Sequence, residues 1–582
     1  MKQPTNEIHA GILIGEVLAK QGVKFLYTLC GGHISPILIG AEQQGVRVID
    51  VRHEATAVFA ADATARLTGI PGVAAVTAGP GLTNTITAVK NAQMAQSPLI
   101  LFGGSAATLL KGRGALQDID QMSLMKPLCK WAKSITKVNQ IVPALEKAFR
   151  VSQEGVPGPV FLEIPIDLLY PRSTVNTQIV EAGGGGKGIG GAVVSAYLKN
   201  HVHRSFVNGF KKRAGPKINP PTTLPNSKQM DKVMKALAKA NRPILIIGSQ
   251  AMLSADKSAE MQQAVMHLGI PTFLSGMARG LLGYHELHMR HKRTKAMRES
   301  DLIILAGVPA DFRMGYGRAI PKSATYVSVN LSKVDLTKNR KPNIGILADP
   351  GAFVRMLAAQ STIDSSRWRG WFEKVKQRND ARDVEIQSKA AEETEYVNPV
   401  RLCQQIEKAV GDNSVLIGDG GDFVATASYI VRPRKPLRWL DPGAYGTLGA
   451  GGGFALASQL VYPDAEVWLL YGDGSAGYSL AEFDTFKRHN LPVIAVIGTD
   501  ASWAQIAREQ VELFGTALGT ELERTAYHEV AQGYGGHGIL VEKPKQVEAS
   551  LNEAKVCASE GKPVCVNVQI GTTDFRKGSI SI

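Results

Sequence analysis

Val467-Trp468-Leu469-Leu470-Tyr471-Gly472-Asp473-Gly474-Ser475 joins an apolar run to two glycines that flank an aspartate. An unbroken apolar run closed by glycine reads as a strand buried on both faces, as in a parallel sheet. The glycines lack Cβ, so backbone N–H groups can close on a phosphate, and Asp473 is a hard oxygen ligand of the kind magnesium takes beside phosphate oxygens. Residues 480–488 read as a helix, and 492–497 read as the next buried strand, ending at Gly498-Thr499-Asp500. Strand, helix and parallel strand place Asp473 and Asp500 at carboxyl-end loops of one sheet, where doubly wound folds bind ligands. Taken alone, Gly-Asp-Gly is also an ordinary turn.

The same alternation extends outward from this stretch. Strand-like runs at 23–28, 46–52, 73–77, 99–102 and 160–164 alternate with helix-like runs, and 414–417, 467–471, 493–497 and 564–570 repeat the style. Residues 242–248 and 301–307 suggest a third unit between them. The expected fold is α/β, with three doubly wound parallel-sheet domains. At 582 residues the chain is too long for one core. The expected boundaries are 1–175, a linker at 176–228, a central α/β domain at 229–365, a linker at 366–395 and a last domain at 396–582.

With 44% hydrophobic and 20% charged residues and no apolar run long enough to span a bilayer, the composition is that of a soluble globular protein. Cys30, Cys129, Cys403, Cys557 and Cys565 show no Cys-x-x-Cys spacing, which argues against a disulfide framework or zinc site and for a reducing compartment. The polar start from Met1 to Glu7 has no secretory core, so a cytoplasmic location is expected. The net charge of +15 is spread widely without a nucleic-acid motif, and no nucleic-acid partner is expected.

The 176–228 linker is set apart by glycines 183–186 and by Pro216, Pro220, Pro221 and Pro225. Within 193–213, Val194, Leu198, Val202, Phe206 and Phe210 recur every fourth residue amid Lys199, His201, His203, Arg204 and 211–213. Such a basic amphipathic helix suits peripheral contact with an anionic membrane, or docking on its own protein.

Glu54, in Arg52-His53-Glu54-Ala55, falls between strand 46–51 and helix 55–67. A carboxylate there suits the helix dipole in any protein. It also fits a wider pattern: Thr77-Ala78-Gly79-Pro80-Gly81-Leu82-Thr83-Asn84, Gly112-Arg113-Gly114-Ala115-Leu116-Gln117, Gly158-Pro159-Val160-Phe161 and the Gly-Asp-Gly element. With these, nearly the whole chain resembles the thiamine-diphosphate enzymes of the acetolactate synthase, oxalyl-CoA decarboxylase and 2-hydroxyacyl-CoA lyase superfamily. The resemblance implies pyrimidine, central and diphosphate domains, and a homodimer or homotetramer with active sites at subunit interfaces.

It further implies that Glu54 activates thiamine diphosphate by bonding the aminopyrimidine, and that Asp473, Asp500 and the Ser502 carbonyl bind Mg2+. Leu448, in Gly446-Thr447-Leu448-Gly449, matches the bulky residue that props the cofactor in its bent form. Thr77, Asn84, Gly421, Asp422, Phe423, Gly446, Gly472, Gly474 and Ser475 complete the implied cofactor set. Gln117 and His33 fall where the family contacts substrate or moves protons. His33, in Gly31-Gly32-His33-Ile34, also suits a purely structural loop hydrogen bond. The family usually has Asn where this chain has Asp500, which adds a negative charge beside the diphosphate.

Acetolactate synthases place a Trp at the position of Glu509 here. The chain is more similar to the acetolactate-synthase-like branch associated with 2-hydroxyacyl-CoA lyase activity. The residues that carry this are Gly31 to Pro36, Lys90 to Pro98, Asp500-Ala501-Ser502-Trp503 and Thr573 to Ile580. Membrane-anchored relatives carry an N-terminal span not seen in this chain. The implied reaction cleaves 2-hydroxyacyl-CoA to formyl-CoA and an aldehyde one carbon shorter, or joins the two in reverse. Acyl-CoA thioesters and aldehydes would be its small-molecule partners. Arg279, Arg313, Arg318 or the basic 199–217 stretch could meet the CoA phosphates, or be solvated charges. The tail from Thr572 could close over substrate, or fray. Two alternatives remain: an acetolactate-type carboligase acting on pyruvate, and an inactive thiamine-fold scaffold. An oxalyl-CoA decarboxylase variant belongs to the first class of reaction.

Overall fold

A computed structural model of the protein describes residues 7–178 and 189–578; glycines 183–186 and the last residues of the 573–580 ending lie outside the described residues. The chain divides into two compact units, Met1–Ala65 with Ile70–Pro221, and Arg66–Gly69 with Thr222–Ile582.

The first unit is built on β1 (Phe25–Thr28), β2 (Arg47–Asp50), β3 (Gly72–Val76), β4 (Leu99–Ser105), β5 (Trp131–Ser134) and β6 (Pro159–Pro165). All its pairings are parallel, in the order β2-β1-β3-β4-β6-β5. β3, β4 and β6 are buried along their whole length, as near-continuous apolar strands covered by helices on both faces must be. On one face the helices Ala10–Lys20 and Ser35–Gln43 cross backbone to backbone. A Cβ on Gly15 would stand 2.0 Å from the Gly40 carbonyl oxygen, so only glycine permits this approach, which anchors the 31–34 turn above the sheet.

The basic segment forms the helix Ile189–Phe206, shorter than the expected 193–213 at its carboxyl end. Asn208 (φ 53°) takes a left-handed conformation and the Gly209 amide donates to Phe206 O, which stops the helix before Phe210. Val202, Ser205 and Phe206 are buried against the first unit's core, and Phe210 packs there from beyond the helix end. Ile189, Val193 and Tyr197 at the other end are exposed.

The second unit holds two sheets. β7 (Pro243–Ile247), β8 (Thr272–Leu274), β9 (His288–Met289), β10 (Leu302–Ala306), β11 (Thr325–Asn330) and β12 (Ile344–Leu347) run in the order β12-β11-β10-β7-β8-β9. β13 (Ser414–Asp419), β14 (Trp439–Leu440), β15 (Glu466–Gly472), β16 (Ile494–Thr499), β17 (His537–Val541) and β18 (Val564–Gln569) run in the order β14-β13-β15-β16-β18-β17. Three α/β domains of doubly wound parallel sheet are therefore present. The 366–395 stretch contains a helix of 23 residues, Arg369–Ala391, whose Trp371, Val375 and Ile386 are buried. Among the described residues, no helix is long and apolar enough to cross a membrane.

The helix expected at 480–488 is present as Glu482–Arg488, and a further short helix outside that expectation, Asp473–Ser479, precedes it and begins at Asp473 itself. Asp473 occupies the first turn, where a carboxylate suits the positive helix end.

Candidate active site

In the first unit the loops after β1, β2 and β3 meet at one sheet edge, at the switch point where strand order reverses between β1 and β3. Glu54 opens the helix Glu54–Thr68 directly after β2 and is 7% exposed. Its Oε2 accepts a 2.9 Å hydrogen bond from Asn84 Nδ2. Asn84 follows the short helix Pro80–Thr83 in the loop after β3. Gly81 is held against this pair: a Cβ there would lie 2.7 Å from Thr77 Cγ2 and 3.7 Å from Glu54 Oε1.

Thr77 Oγ1 lies 3.1 Å from His33 Nδ1. Gly31 accommodates Thr77, since a Cβ on it would come within 2.4 Å of Thr77 Cβ. Gly104, near the end of β4, accommodates His33 in the same way, at 2.5 Å. Burial lowers the His33 pKa, keeping the ring neutral at pH 7. Gln117 is left-handed (φ 63°), and its carbonyl oxygen would meet a Cβ on Gly79 at 2.8 Å, so the Gln117 loop lies directly on the Gly79 turn. Glu54, Thr77, Asn84, His33 and Gln117 thus share one edge of one sheet.

In the second unit Gly421, Asp422, Phe423, Gly446, Leu448, Gly472, Asp473, Gly474, Ser475, Asp500 and Ser502 all line one cavity of ≈ 370 Å³. It opens where β13 and β15 part, the same switch point in the third sheet. The two loops touch there: a Cβ on Gly472 would sit 3.1 Å from Gly420 O. Ser475 Oγ donates to the carbonyl oxygens of Gly472 and Asp419 and ties the loops together. Leu448 leans over Gly420 (φ 74°), where a Cβ would strike its Cδ2 at 2.4 Å. Phe423 packs under the floor, its ring 2.6 Å from where a Cβ of Gly498 would be.

Asp473 is 2% exposed, its Oδ1 accepting from the Gly474 amide (2.8 Å) and its Oδ2 from the Ala501 amide (2.7 Å). Burial raises its pKa. Asp500 is pushed up to about 7, first by burial and then by the Asp473 charge beside it. A buried carboxylate and a half-buried one that resist ionising together are what a divalent cation relieves. Among the described residues no three His, Cys, Asp or Glu side chains converge on a metal site. That matches an ion held by few carboxylates, a backbone carbonyl, phosphate oxygens and water. The glycine-lined cavity beside the pair has room for phosphate against backbone amides, so the residues present fit a magnesium diphosphate.

Three features of this half escaped the sequence. Asp419, fully buried at the end of β13, accepts from the amides of Gly449 (3.1 Å) and Gly451 (2.7 Å), fixing the turn that carries Leu448; complete burial pushes its pKa up to about 7. Trp503 covers Gly474, where a Cβ would meet its ring at 2.4 Å. The Asp422 carboxylate is taken by Arg508 (2.7 and 3.1 Å), with Arg576 3.6 Å away, so this residue offers the cavity its backbone. An aspartate ending an apolar strand before Gly420-Gly421 was the readable signal for Asp419. The other two depend on tertiary contacts.

Also in the second unit is a cavity of ≈ 780 Å³ lined by nine Lys or Arg side chains, two histidines and, among the described residues, no Asp or Glu. Arg279 is one of them, half-buried over the Trp439 ring and donating to Ser428 O at 2.7 Å. Burial lowers the Arg279 and Arg293 pKa values, and neighbouring guanidinium groups lower Arg293 further. Arg313 does not line this cavity; it forms a forked pair with Asp311 (3.1 and 2.6 Å). Arg318 lies over Tyr316. In the 199–217 stretch Lys212 pairs with Glu146 and Arg213 with Glu16.

Comparison with known proteins agrees with this geometry. Residues 8–124 match the thiamine pyrophosphate enzyme N-terminal TPP binding domain, 230–357 its central domain and 419–568 its C-terminal TPP binding domain. The chain is 48% identical over 586 residues to the 2-hydroxyacyl-CoA lyase 2 of Danio rerio, covering 99% of this chain and 93% of that one. It is 48% identical over 585 residues to that of Homo sapiens, with 99% and 92% covered. A probable acetolactate synthase of Mycobacterium bovis is 32% identical over 568 residues, with 97% and 96% covered. The chain belongs to the thiamine pyrophosphate enzyme family, beside the 2-hydroxyacyl-CoA lyase 2 proteins.

Proposed function

We propose that the protein is a thiamine-diphosphate- and Mg2+-dependent carbon–carbon lyase that cleaves a 2-hydroxyacyl-CoA to formyl-CoA and an aldehyde one carbon shorter, and catalyses the reverse condensation. The observation that carries the thioester substrate is the cationic cavity, whose lining includes Arg279, Arg293, Lys295 and Arg298 and, among the described residues, no Asp or Glu, although Arg432 and Arg576 on the same wall face Glu407 and Asp422. Coenzyme A brings a diphosphate and a 3′-phosphate, groups that forked guanidiniums and ammonium charges recognise. A keto acid such as pyruvate brings a single carboxylate and leaves such a cavity without a use.

Bound thiamine diphosphate supplies a nucleophilic carbon and an electron sink for the C1–C2 cleavage. Glu54, fixed by Asn84 on Oε2, keeps Oε1 at the Gly81 turn as a carboxyl group shielded from bulk water. Asp473, Asp500 and the Ser502 carbonyl would hold the cation, and the backbone around Gly421 and Gly472 would receive the phosphates. Leu448, on the turn that Asp419 holds, would support the cofactor between them. His33, whose pKa burial lowers, accepts or returns a proton at a ring nitrogen, with Gln117 at the same sheet edge on the Gly79 turn.

A homodimer or homotetramer, whose sites combine Glu54 of one chain with Asp473 of another, is part of the same proposal and is supported by the resemblance to enzymes that build their active sites at subunit interfaces. Five free cysteines favour a reducing, cytoplasmic setting.

The test incubates the purified protein, loaded with thiamine diphosphate and Mg2+, with a 2-hydroxyacyl-CoA and separately with pyruvate. Formyl-CoA and the shortened aldehyde, lost in Glu54→Gln, are expected; acetolactate alone would replace the lyase reading with the carboligase. Mixing inactive Glu54→Gln and Asp473→Ala chains should restore turnover, since a mixed pair retains one complete site. No recovery on subunit exchange would place both halves in one chain.

A further inference from the structure

A charge lies where the first sheet should be apolar. β6 reads Pro-Val-Phe-Leu-Glu-Ile-Pro, every residue is buried, and Glu163 is 0% exposed. An ionised carboxylate in such a place costs several kcal/mol unless it is paired and fully hydrogen-bonded, and an apolar residue of similar size would serve packing better. Glu163 is fully satisfied. Its Oε2 pairs with Lys111 Nζ and accepts from Ser134 Oγ (2.6 Å), and its Oε1 accepts from Gln121 Nε2 (3.0 Å).

Two of these partners bracket the Gln117 loop. Gln121 is 1% exposed; its Nε2 also donates to Gly104 O (3.0 Å), and its Oε1 accepts from the Gly79 amide (3.1 Å). One amide side chain therefore joins the buried carboxylate, the strand beneath His33 and the turn beneath Gln117. Between Lys111 and Gln121 the loop is largely exposed, with Leu116 83% exposed, and closes on itself where the Gly112 amide donates to Asp118 Oδ2 and the Asp118 amide to Ala115 O. The backbone contact at Gly79 and the two ends hold this closed loop against the sheet.

We propose that Glu163 is a positioning residue that clamps the Gln117 loop at Lys111 and Gln121, and so sets Gln117 over the Gly79 turn beside the Glu54–Asn84 pair. The clamp explains why a carboxylate persists inside β6: it specifies loop register, a role for which buried ionic groups are retained. Its consequence for turnover rests on Gln117 acting on the cofactor side, as proposed above, whereas the clamp itself does not.

The experiment uses the full chain, with and without thiamine diphosphate and Mg2+, and compares wild type with Glu163→Gln and Lys111→Met. Trypsin cleavage after Arg113, followed by mass spectrometry, reports loop opening in the apoprotein independently of any activity. Cleavage about tenfold faster in each variant is expected, with kcat about tenfold lower at nearly unchanged KM, and the double variant no worse than the poorer single one. Lys111 is 35% exposed at its side chain, so its replacement tests the clamp even where Glu163→Gln folds poorly. Unchanged cleavage at Arg113 in both variants would overturn the proposal. So would a loss of kcat without faster cleavage, because Glu163 would then act by another route. Faster cleavage with unchanged kcat would retain the clamp and overturn its role in turnover.

Discussion

The first and third sheets have the same strand order, β2-β1-β3-β4-β6-β5 and β14-β13-β15-β16-β18-β17, yet their switch points carry opposite chemistry. At the first, polar side chains gather: His33, Glu54 and Thr77 follow β1, β2 and β3. At the third, glycine backbone and two carboxylates line a cavity, around Gly420, Gly472, Asp473 and Asp500. The central sheet, ordered β12-β11-β10-β7-β8-β9, is wound differently and contributes to the cationic cavity instead. One topology makes a crevice, and the loop residues decide whether it presents a buried glutamate or a glycine-lined cavity with two aspartates.

The comparison breaks most sharply at Glu54. Glu54→Gln removes the proton-carrying group of the first crevice and should lower kcat by about 10²–10⁴ while cofactor affinity changes little, measured by steady-state rates and fluorescence titration. A large loss of cofactor binding would show that the first crevice does the holding as well. Next, Gly420→Ala should cost about 1–3 kcal/mol and displace Leu448, since both the left-handed backbone and the 2.4 Å approach forbid a Cβ. Its melting temperature and cofactor affinity should fall together.

Protons sharpen the contrast further. Asp500 is raised to about 7, and a metal competes with that proton, so Mg2+ affinity should climb as pH rises through about 7; Asp500→Asn should remove the climb, read by titration at several pH values. Asp419, also raised to about 7, favours the folded state most when protonated. Its contribution to apoprotein stability is present below about pH 4 and is lost as pH rises through 7, a fall in melting temperature that Asp419→Asn should flatten. The smallest effect belongs to the exposed rim of the cationic cavity. Lys295→Ala with Arg298→Ala should raise KM for acyl-CoA several-fold at low salt, less at high salt, with kcat and cofactor affinity unchanged.

Much of this was legible because the long buried strands are apolar without interruption. β3, β4, β6, β7, β10, β13, β15, β16 and β18 lie where the runs predicted, within a few residues. β9 and β14, two residues each, carry no readable period, and neither do the half-exposed edge strands β5, β12 and β17. In the third sheet's cavity the short-range signals went furthest where a residue sits beside a glycine, as Asp422, Leu448, Asp473 and Ser475 do, while Asp500 and Ser502 were placed by their spacing after the next strand. The cationic cavity was hidden: its residues come from 279–298, Arg382, 425–433 and Arg576, and no local pattern brings these together. Arg279 was singled out and lines it, while Arg313 was singled out and is spent on Asp311. Glu163 looked like an ordinary strand residue, since its meaning lies in Lys111 and Gln121 far away in the chain.

Asp422 is shared property. Its backbone borders the cradle of the third sheet, and its carboxylate faces both Arg508 and Arg576, the latter also a wall of the cationic cavity. An anion that draws Arg576 toward that cavity takes it from Asp422, and a ligand that orders the Gly421 turn bears on the same guanidinium. If binding at one cavity shifted Arg576, the effect on affinity at the other would be reciprocal and equal in factor. Arg576 stands between the two cavities, its guanidinium on the wall of one and beside the carboxylate whose backbone borders the other.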